Sequence, residues 1–299
     1  MGNLVDAKEQ FNSVLAKFPK NFNALIGLAD TELSLGSFEE AERLFLEAIK
    51  IDPNNWWGQR ALAYYYARVG KYKEAEVYYR KLISLTPYNS LGYYNLSGTL
   101  YLQEKNEEAI AILKQGVDKA PSSKIYSNLG TIQFYSQQYE ESIESFSRAV
   151  KLRPSNYLFW ANLGDSYFWG KPNSGQHSEA YARSINLLDN LLELKDDYDL
   201  SLFLALILAK NGDLKRSSKI LEKLIPARLP EQHYEKAFAF ELIGNRIKAL
   251  EEMGHALKGN YPLDGVTSEP FLIELTQDPR FILMVEQIKK SSQIGLDSQ

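Results

Sequence analysis

Along this chain small and large apolar residues return in a fixed order, separated by polar stretches. Counted from Phe22 in repeats of about 34 residues, the eighth position holds Ala29, Ala63, Ser97, Gly130, Gly164, Ala205 and Ala237. The twentieth holds Ala41, Ala75, Ala109, Ser142, Ala180, Ser217 and Ala249. The twenty-fourth holds Phe45, Tyr79, Leu113, Phe146, Leu221 and Met253, with Ser184 where the fifth repeat should carry a bulky residue. Small residues let two helices approach, and large ones fill the notches beside them, which gives the dense packing of protein interiors.

Breaks in this pattern mark the helix ends. In FNALIGLADTELSLGSFEEAERLFLEAIKIDPNN, which starts at Phe22, a first helix is predicted from about Asn23 to Leu35, stopping at Gly36. Glycine suits the left-handed residue after a helix. A second helix starts near Phe38 with Glu39 and Glu40 in its first turn, where acids complement the helix dipole. It ends before Asp52-Pro53, because the residue preceding proline avoids helical dihedrals. Pro19, Pro53, Pro87, Pro121 and Pro154 lie 34, 34, 34 and 33 residues apart. Such a period marks a solenoid, in which each helix pair buries its apolar face only by stacking on the next.

Trp160-Ala161-Asn162-Leu163-Gly164-Asp165-Ser166-Tyr167 completes the picture. With the small residues and the proline period, it resembles the W-x2-L-G-x2-Y signature of the tetratricopeptide repeat (TPR) family over roughly residues 5–260. The resemblance implies an all-α fold, a right-handed superhelical solenoid of antiparallel helix pairs. The array is expected over 1–262, with a half repeat at 1–21 and repeats starting at 22, 56, 90, 123, 157, 198 and 230. Ala7, Phe11 and Pro19 match a second helix without a first. Leu4, Ala7 and Phe11 would leave an apolar edge uncovered, which favours a longer array over an N-terminal cap. In the fifth repeat FWGKPNSGQHSE is expected to form a projecting loop. Residues 263–290, with Phe271, Leu272, Leu275, Phe281, Ile282 and Val285, are expected to form short helices capping the last repeat, and 291–299 a frayed tail.

Composition narrows the chemistry. Thirty-four Lys and Arg against 38 Asp and Glu leave a net charge of −4, the wrong sign for a nucleic-acid backbone. No apolar run is long enough to span a membrane. The start MGNLVDAKEQ lacks the parts of a signal peptide. A cytoplasmic location is the expectation, or a periplasmic one if the chain belongs to a membrane-tethered regulator. With no cysteine and three histidines, thiolate chemistry and the usual zinc spacings are missing. His177 beside Ser174 and Ser178 is the best nucleophile on offer, and the bland alternative is a solvated loop histidine. No catalytic residue, metal or cofactor is assigned, and the chain is read as a non-enzyme.

By family resemblance, positions 2, 5, 9 and 12 of each repeat line a concave groove. Three- and four-residue spacing puts them on one helical stripe. They supply Trp57, Arg60 and Tyr64 from the second repeat, Tyr94 and Tyr101 from the third, Phe134 from the fourth and Phe168 from the fifth. Asn95, Asn128 and Asn162 occupy position 6 of three successive repeats. This arrangement resembles the asparagine ladder of O-linked GlcNAc transferases, where carboxamides track a peptide backbone. The alternative is that each asparagine bonds a neighbouring helix. Tyr66, Tyr72, Tyr79 and Tyr139 fall instead on packing positions. The clamp that TPR proteins use for chaperone C-terminal tails is not matched, because Ile26/Asp30, Arg60/Tyr64 and Tyr94/Gly98 lack its Lys-Asn pair.

The expected function is therefore a scaffold gripping an extended peptide or partner segment, with self-association open. The swollen fifth repeat and the PLDG…EP…DPRF ending are also similar to TPR regions of bacterial Ser/Thr kinases and winged-helix activators. A regulatory or sensory region of such a signalling protein is the alternative.

Overall fold

The computed structural model describes residues 2–296, with side chains for 3–290. Every regular element among them is helical, and contacts divide the chain into two compact units, Met1–Gln133 and Phe134–Gln299. The N-terminal unit contains α1 (Gly2–Lys17), α2 (Phe22–Leu35), α3 (Phe38–Ile51), α4 (Trp56–Arg68), α5 (Tyr72–Leu85), α6 (Ser90–Tyr101) and α7 (Asn106–Lys119). It also holds most of α8 (Ser123–Tyr135). The C-terminal unit contains α9 (Tyr139–Leu152), α10 (Tyr157–Gly170), α11 (Gln176–Leu194), α12 (Tyr198–Lys210), α13 (Leu214–Lys223), α14 (Pro230–Leu242) and α15 (Arg246–Lys258). It closes with α16 (Leu263–Thr267), a 3-10 turn at Pro270–Leu272, α17 (Ile273–Thr276) and α18 (Pro279–Leu296).

The proline period also determines where helices begin. Two residues after Pro19, Pro53, Pro87 and Pro154 stand Asn21, Asn55, Asn89 and Asn156. Each side chain accepts a backbone N–H of the helix it opens, at 2.9 Å for Asn21 and 3.1 Å for Asn156. Ser122 and Asp197 do the same ahead of α8 and α12. Each cap contributes about 1 kcal/mol by satisfying a donor that the helix cannot. Except for α10, first helices are followed by a left-handed residue, Gly36 at φ 84° and Gly212 at φ 85° among them. Glu104 and Gln137 hold that conformation without being glycine, at φ 61° and 60°.

Packing follows the small-large alternation. Ala29, Ala63, Ser97, Ala205 and Ala237 are fully buried, as are Ala41, Ala75, Ala109, Ser142, Ser217 and Ala249. Phe45, Tyr79, Leu113, Phe146, Leu221 and Met253 are 2% exposed or less. At Gly164 a Cβ would sit 2.4 Å from the Tyr181 ring, so that crossing admits no side chain. At Gly27 a Cβ would meet the ring of Phe11, which is how α1 seats on α2. Ala75→Leu is expected to cost on the order of 1–3 kcal/mol by overpacking, read from the midpoint of urea unfolding. An unchanged midpoint would mean that the crossing can open.

Several expectations change. The projecting loop over 168–179 shrinks to Lys171–Gly175, because α10 runs on through Gly170 and α11 begins at Gln176. His177 is accordingly a half-buried residue of the first turn of α11, edge-on to Phe168, and not a loop histidine. Ser184 replaces the bulky residue of its repeat because its hydroxyl donates to the Tyr157 carbonyl at 2.9 Å. In the tail, Leu272, Leu275 and Phe281 are buried, whereas Ile282 is 48% exposed. Residues 291–296 continue α18, and the remainder of the expected frayed tail, 297–299, lies outside the described residues.

Candidate binding faces

In the N-terminal unit, α4, α5 and α6 bring Arg60 near the phenols of Tyr64, Tyr79 and Tyr94, and α8 adds Lys124 over the Tyr94 ring. Arg60 on α4 is half-buried and forms no ion pair among the described residues. Its charge reaches Tyr79, where it opposes the burial that pushes this phenol up, while Tyr64 and Tyr94 add to the rise. It also reaches Asp30 on α2, whose carboxyl is pushed up by burial and drawn back by Arg60. Tyr64 is 51% exposed. Tyr94 is half-buried, with the Lys124 ammonium 5.0 Å from its ring centroid. Trp57 packs edge-on against Phe22 at 6.3 Å, leaving only part of its indole at the surface. Tyr101 is half-buried, and burial raises its phenol.

The asparagines diverge. Asn128 donates its amide to the Tyr94 carbonyl at 3.1 Å and to the Ser97 hydroxyl at 3.4 Å, so its donors serve the α6–α8 contact. This is the neighbouring-helix alternative for that position. Asn95 and Asn162 are half-buried, and their side chains make no hydrogen bond among the described residues.

The C-terminal unit treats its expected groove residues differently. Phe134 is 6% exposed and packs edge-on against Tyr135 at 5.3 Å and Tyr139 at 5.5 Å, so it offers no surface to a partner. Phe168 is covered from within the chain by Phe271, with ring centroids 5.1 Å apart. The tail therefore does more than cap the last repeat: Phe271 reaches α10, touching Trp169 at 5.4 Å as well. Beneath it, the Lys210 ammonium bonds both carboxylate oxygens of Asp165, at 3.0 and 2.9 Å. The side chains are 5% and 15% exposed. Tyr181, fully buried, donates its hydroxyl to Asp165 at 2.7 Å. Lys210 also lies 4.6 Å from the Phe271 ring centroid and 4.9 Å from that of Phe238.

Lys210, Tyr181, Trp169 and Glu269 were not legible as site residues. Asp165 was on the groove stripe, and a carboxylate there could have prompted a search for a buried cation. Among the described residues no cluster of three or more His, Asp or Glu side chains is arranged to hold a metal ion. No helix among them is long and apolar enough to cross a membrane.

Family models described as tetratricopeptide repeat match residues 1–63, 60–124 and 123–156. A sequence comparison with curated proteins finds no match. Among solved structures, a tetratricopeptide repeat protein from Parabacteroides merdae is similar at a TM-score of 0.58 and 16% identity, covering 86% of this chain and 99% of that one. The C-terminal part of a TPR repeat-containing protein from Cytophaga hutchinsonii also gives 0.58, at 14% identity, covering 84% and 95%. A chain of the APC/C hetero-tetramer Cut9–Hcn1 gives 0.55 at 18% identity, covering 86% of this chain and 46% of that one. At these identities the likeness is one of fold, an all-α solenoid of antiparallel helix pairs. Matched residues, repeat period and helix pairing agree: this chain belongs to the tetratricopeptide repeat family.

Proposed function

We propose that this protein is a non-catalytic interaction scaffold whose N-terminal unit binds an extended peptide or partner segment across the first helices α4 and α6. The observation that carries this reading is Arg60, a half-buried residue that forms no ion pair among the described residues, beside the exposed Tyr64 and the half-buried Tyr94. A guanidinium with no ion-pair partner leaves its planar fork open to a carboxylate or main-chain carbonyl of a ligand. Tyr64 and Tyr94 flank it with rigid amphipathic area, the residue types that dominate binding hot spots. Asn95, whose carboxamide has no partner among the described residues, supplies a donor and an acceptor for a ligand backbone. Trp57 and Tyr101 extend the contact along the stripe.

Ligands selected from a displayed random peptide library on the whole chain are expected to lose at least about 2 kcal/mol of binding to the Tyr64→Ala, Tyr94→Ala double variant, roughly 30-fold in Kd. Tyr64→Ala alone should hardly move thermal melting, because Tyr64 is 51% exposed, whereas Tyr94→Ala also removes a half-buried ring. A fall in melting temperature with unchanged peptide affinity would remove the assignment.

A further inference from the structure

The C-terminal unit carries a second face, on α10, α12 and α14, and three residues of the same chain occupy it. Glu269-Pro270-Phe271 crosses these helices, with the Phe271 ring against Phe168, Trp169 and Phe238 and the Lys210 ammonium over its face. The face is a built recognition surface: two apolar walls, and a cation fixed by Asp165 and aimed at an aromatic ring.

The occupant fits it incompletely. The Glu269 carboxylate is 7% exposed yet forms no ion pair, since Lys210 is committed to Asp165. It accepts only two long hydrogen bonds, from the Phe271 N–H at 3.3 Å and the Tyr135 hydroxyl at 3.4 Å. Burial raises its pKa, with the charge of Asp165 adding to the rise and that of Lys210 opposing it. Around Phe168, which Phe271 covers, the indole N–H of Trp169 and Nδ1 of His177 are both buried without a hydrogen-bond partner among the described residues. Buried polar groups in folded proteins are nearly always paired. A poorly held carboxylate and two unpaired ring nitrogens in one place show that this surface can satisfy more than its present occupant provides.

We propose that this face binds, in trans, an extended peptide segment presenting an aromatic side chain next to an uncharged polar residue, and that Glu269-Pro270-Phe271 is an intramolecular occupant which such a segment displaces. The aromatic ring takes the place of Phe271 between Phe168 and Lys210. An uncharged side chain in the position of Glu269 avoids burying a carboxylate, and the ligand backbone offers the acceptor that the Trp169 N–H lacks. The site is separate from the Arg60 face and does not rest on it.

The test uses the whole chain and a fluorescein-labelled peptide, LDGVTSQPFLIELT, which is residues 263–276 with Glu269 replaced by Gln. Phe271→Ala empties the aromatic slot and is expected to raise the affinity for this peptide at least tenfold over the unmodified chain. Adding Phe168→Ala should abolish that gain, and the Tyr64→Ala, Tyr94→Ala pair should leave it intact. A Phe271→Ala chain of native helicity that binds the peptide no better than the unmodified chain overturns the proposal. If Phe271→Ala does not fold, hydrogen exchange of the unmodified chain decides. Amides of 263–276 exchanging well ahead of those of α12 and α14, and faster still with excess peptide, support displacement. Exchange of all three together means a permanent cap and overturns it.

Discussion

Lys210→Ala is expected to destabilise the C-terminal unit by about 3–5 kcal/mol, the loss that follows when one partner of a buried ion pair is removed. The mechanism is specific. Among the described residues Lys210 is the only cation within ion-pair distance of Asp165, and both side chains are largely out of water. Without the ammonium, Asp165 keeps the Tyr181 hydroxyl but becomes an uncompensated buried charge, and the rings of Phe238 and Phe271 lose the cation between them. Hydrogen exchange resolved by segment is the suitable readout, with α10, α12 and α14 losing protection and α2 to α6 serving as the internal reference. Lys210→Met combined with Asp165→Leu should recover most of the loss, because replacing both charges by apolar groups removes the desolvation cost as well as the attraction. A single-variant effect below about 1 kcal/mol would place this pair with surface salt bridges.

The second large effect is a pH dependence. Burial, assisted by the charge of Asp199, pushes the Glu235 carboxyl up to about 7. A group whose pKa is higher folded than unfolded contributes stability at low pH and loses it on ionising. The contribution of Glu235 is therefore complete below its ordinary value of 4.5 and falls away as pH rises through about 7. One pKa unit corresponds to about 1.4 kcal/mol, so the change approaches about 3 kcal/mol. Glu235→Gln should remove this part of the pH profile. The difference in urea midpoint between the two proteins, followed from pH 4.5 to 8, isolates it from other carboxylates. Parallel profiles would show that Glu235 is as well hydrated folded as unfolded.

The repeat frame was readable because a solenoid makes the same local demand in every repeat. The residue before each proline, the cap after it, the glycine between helices and the small residue at each crossing are set by backbone geometry and near-neighbour packing. Thus Pro53 ends α3 and Asn55 opens α4, and Ala63 lies at 0% exposure in the register that the spacing predicted. The swollen fifth repeat misled for the same reason. KPNSG carries turn residues, but the flanking Phe168–Gly170 extend α10 and Gln176–Glu179 open α11.

The candidate binding faces were only partly readable. A stripe position tells which way a side chain leaves its helix, and that sufficed to group Arg60, Tyr64 and Tyr94. It cannot tell what distant segment arrives on top. Phe134 and Phe168 occupy the same class of position as Tyr64, yet Phe134 is buried against Tyr135 and Tyr139, and Phe168 is covered by Phe271, about a hundred residues further on. Asn128 likewise found a carbonyl on the preceding repeat, while Asn95 and Asn162 did not.

By itself the sequence determined the helix pairs, their length, their caps and the alternation of small and large residues at their crossings, because each is settled by atoms within one repeat or its neighbour. Only the tertiary structure decided which groove positions stay open, that Lys210 is buried against Asp165, and that Glu269-Pro270-Phe271 lies across α10 and α12. Those outcomes depend on contacts between residues far apart in the chain, where no local periodicity applies and competing apolar and polar groups are ranked only by the free energy of burying them.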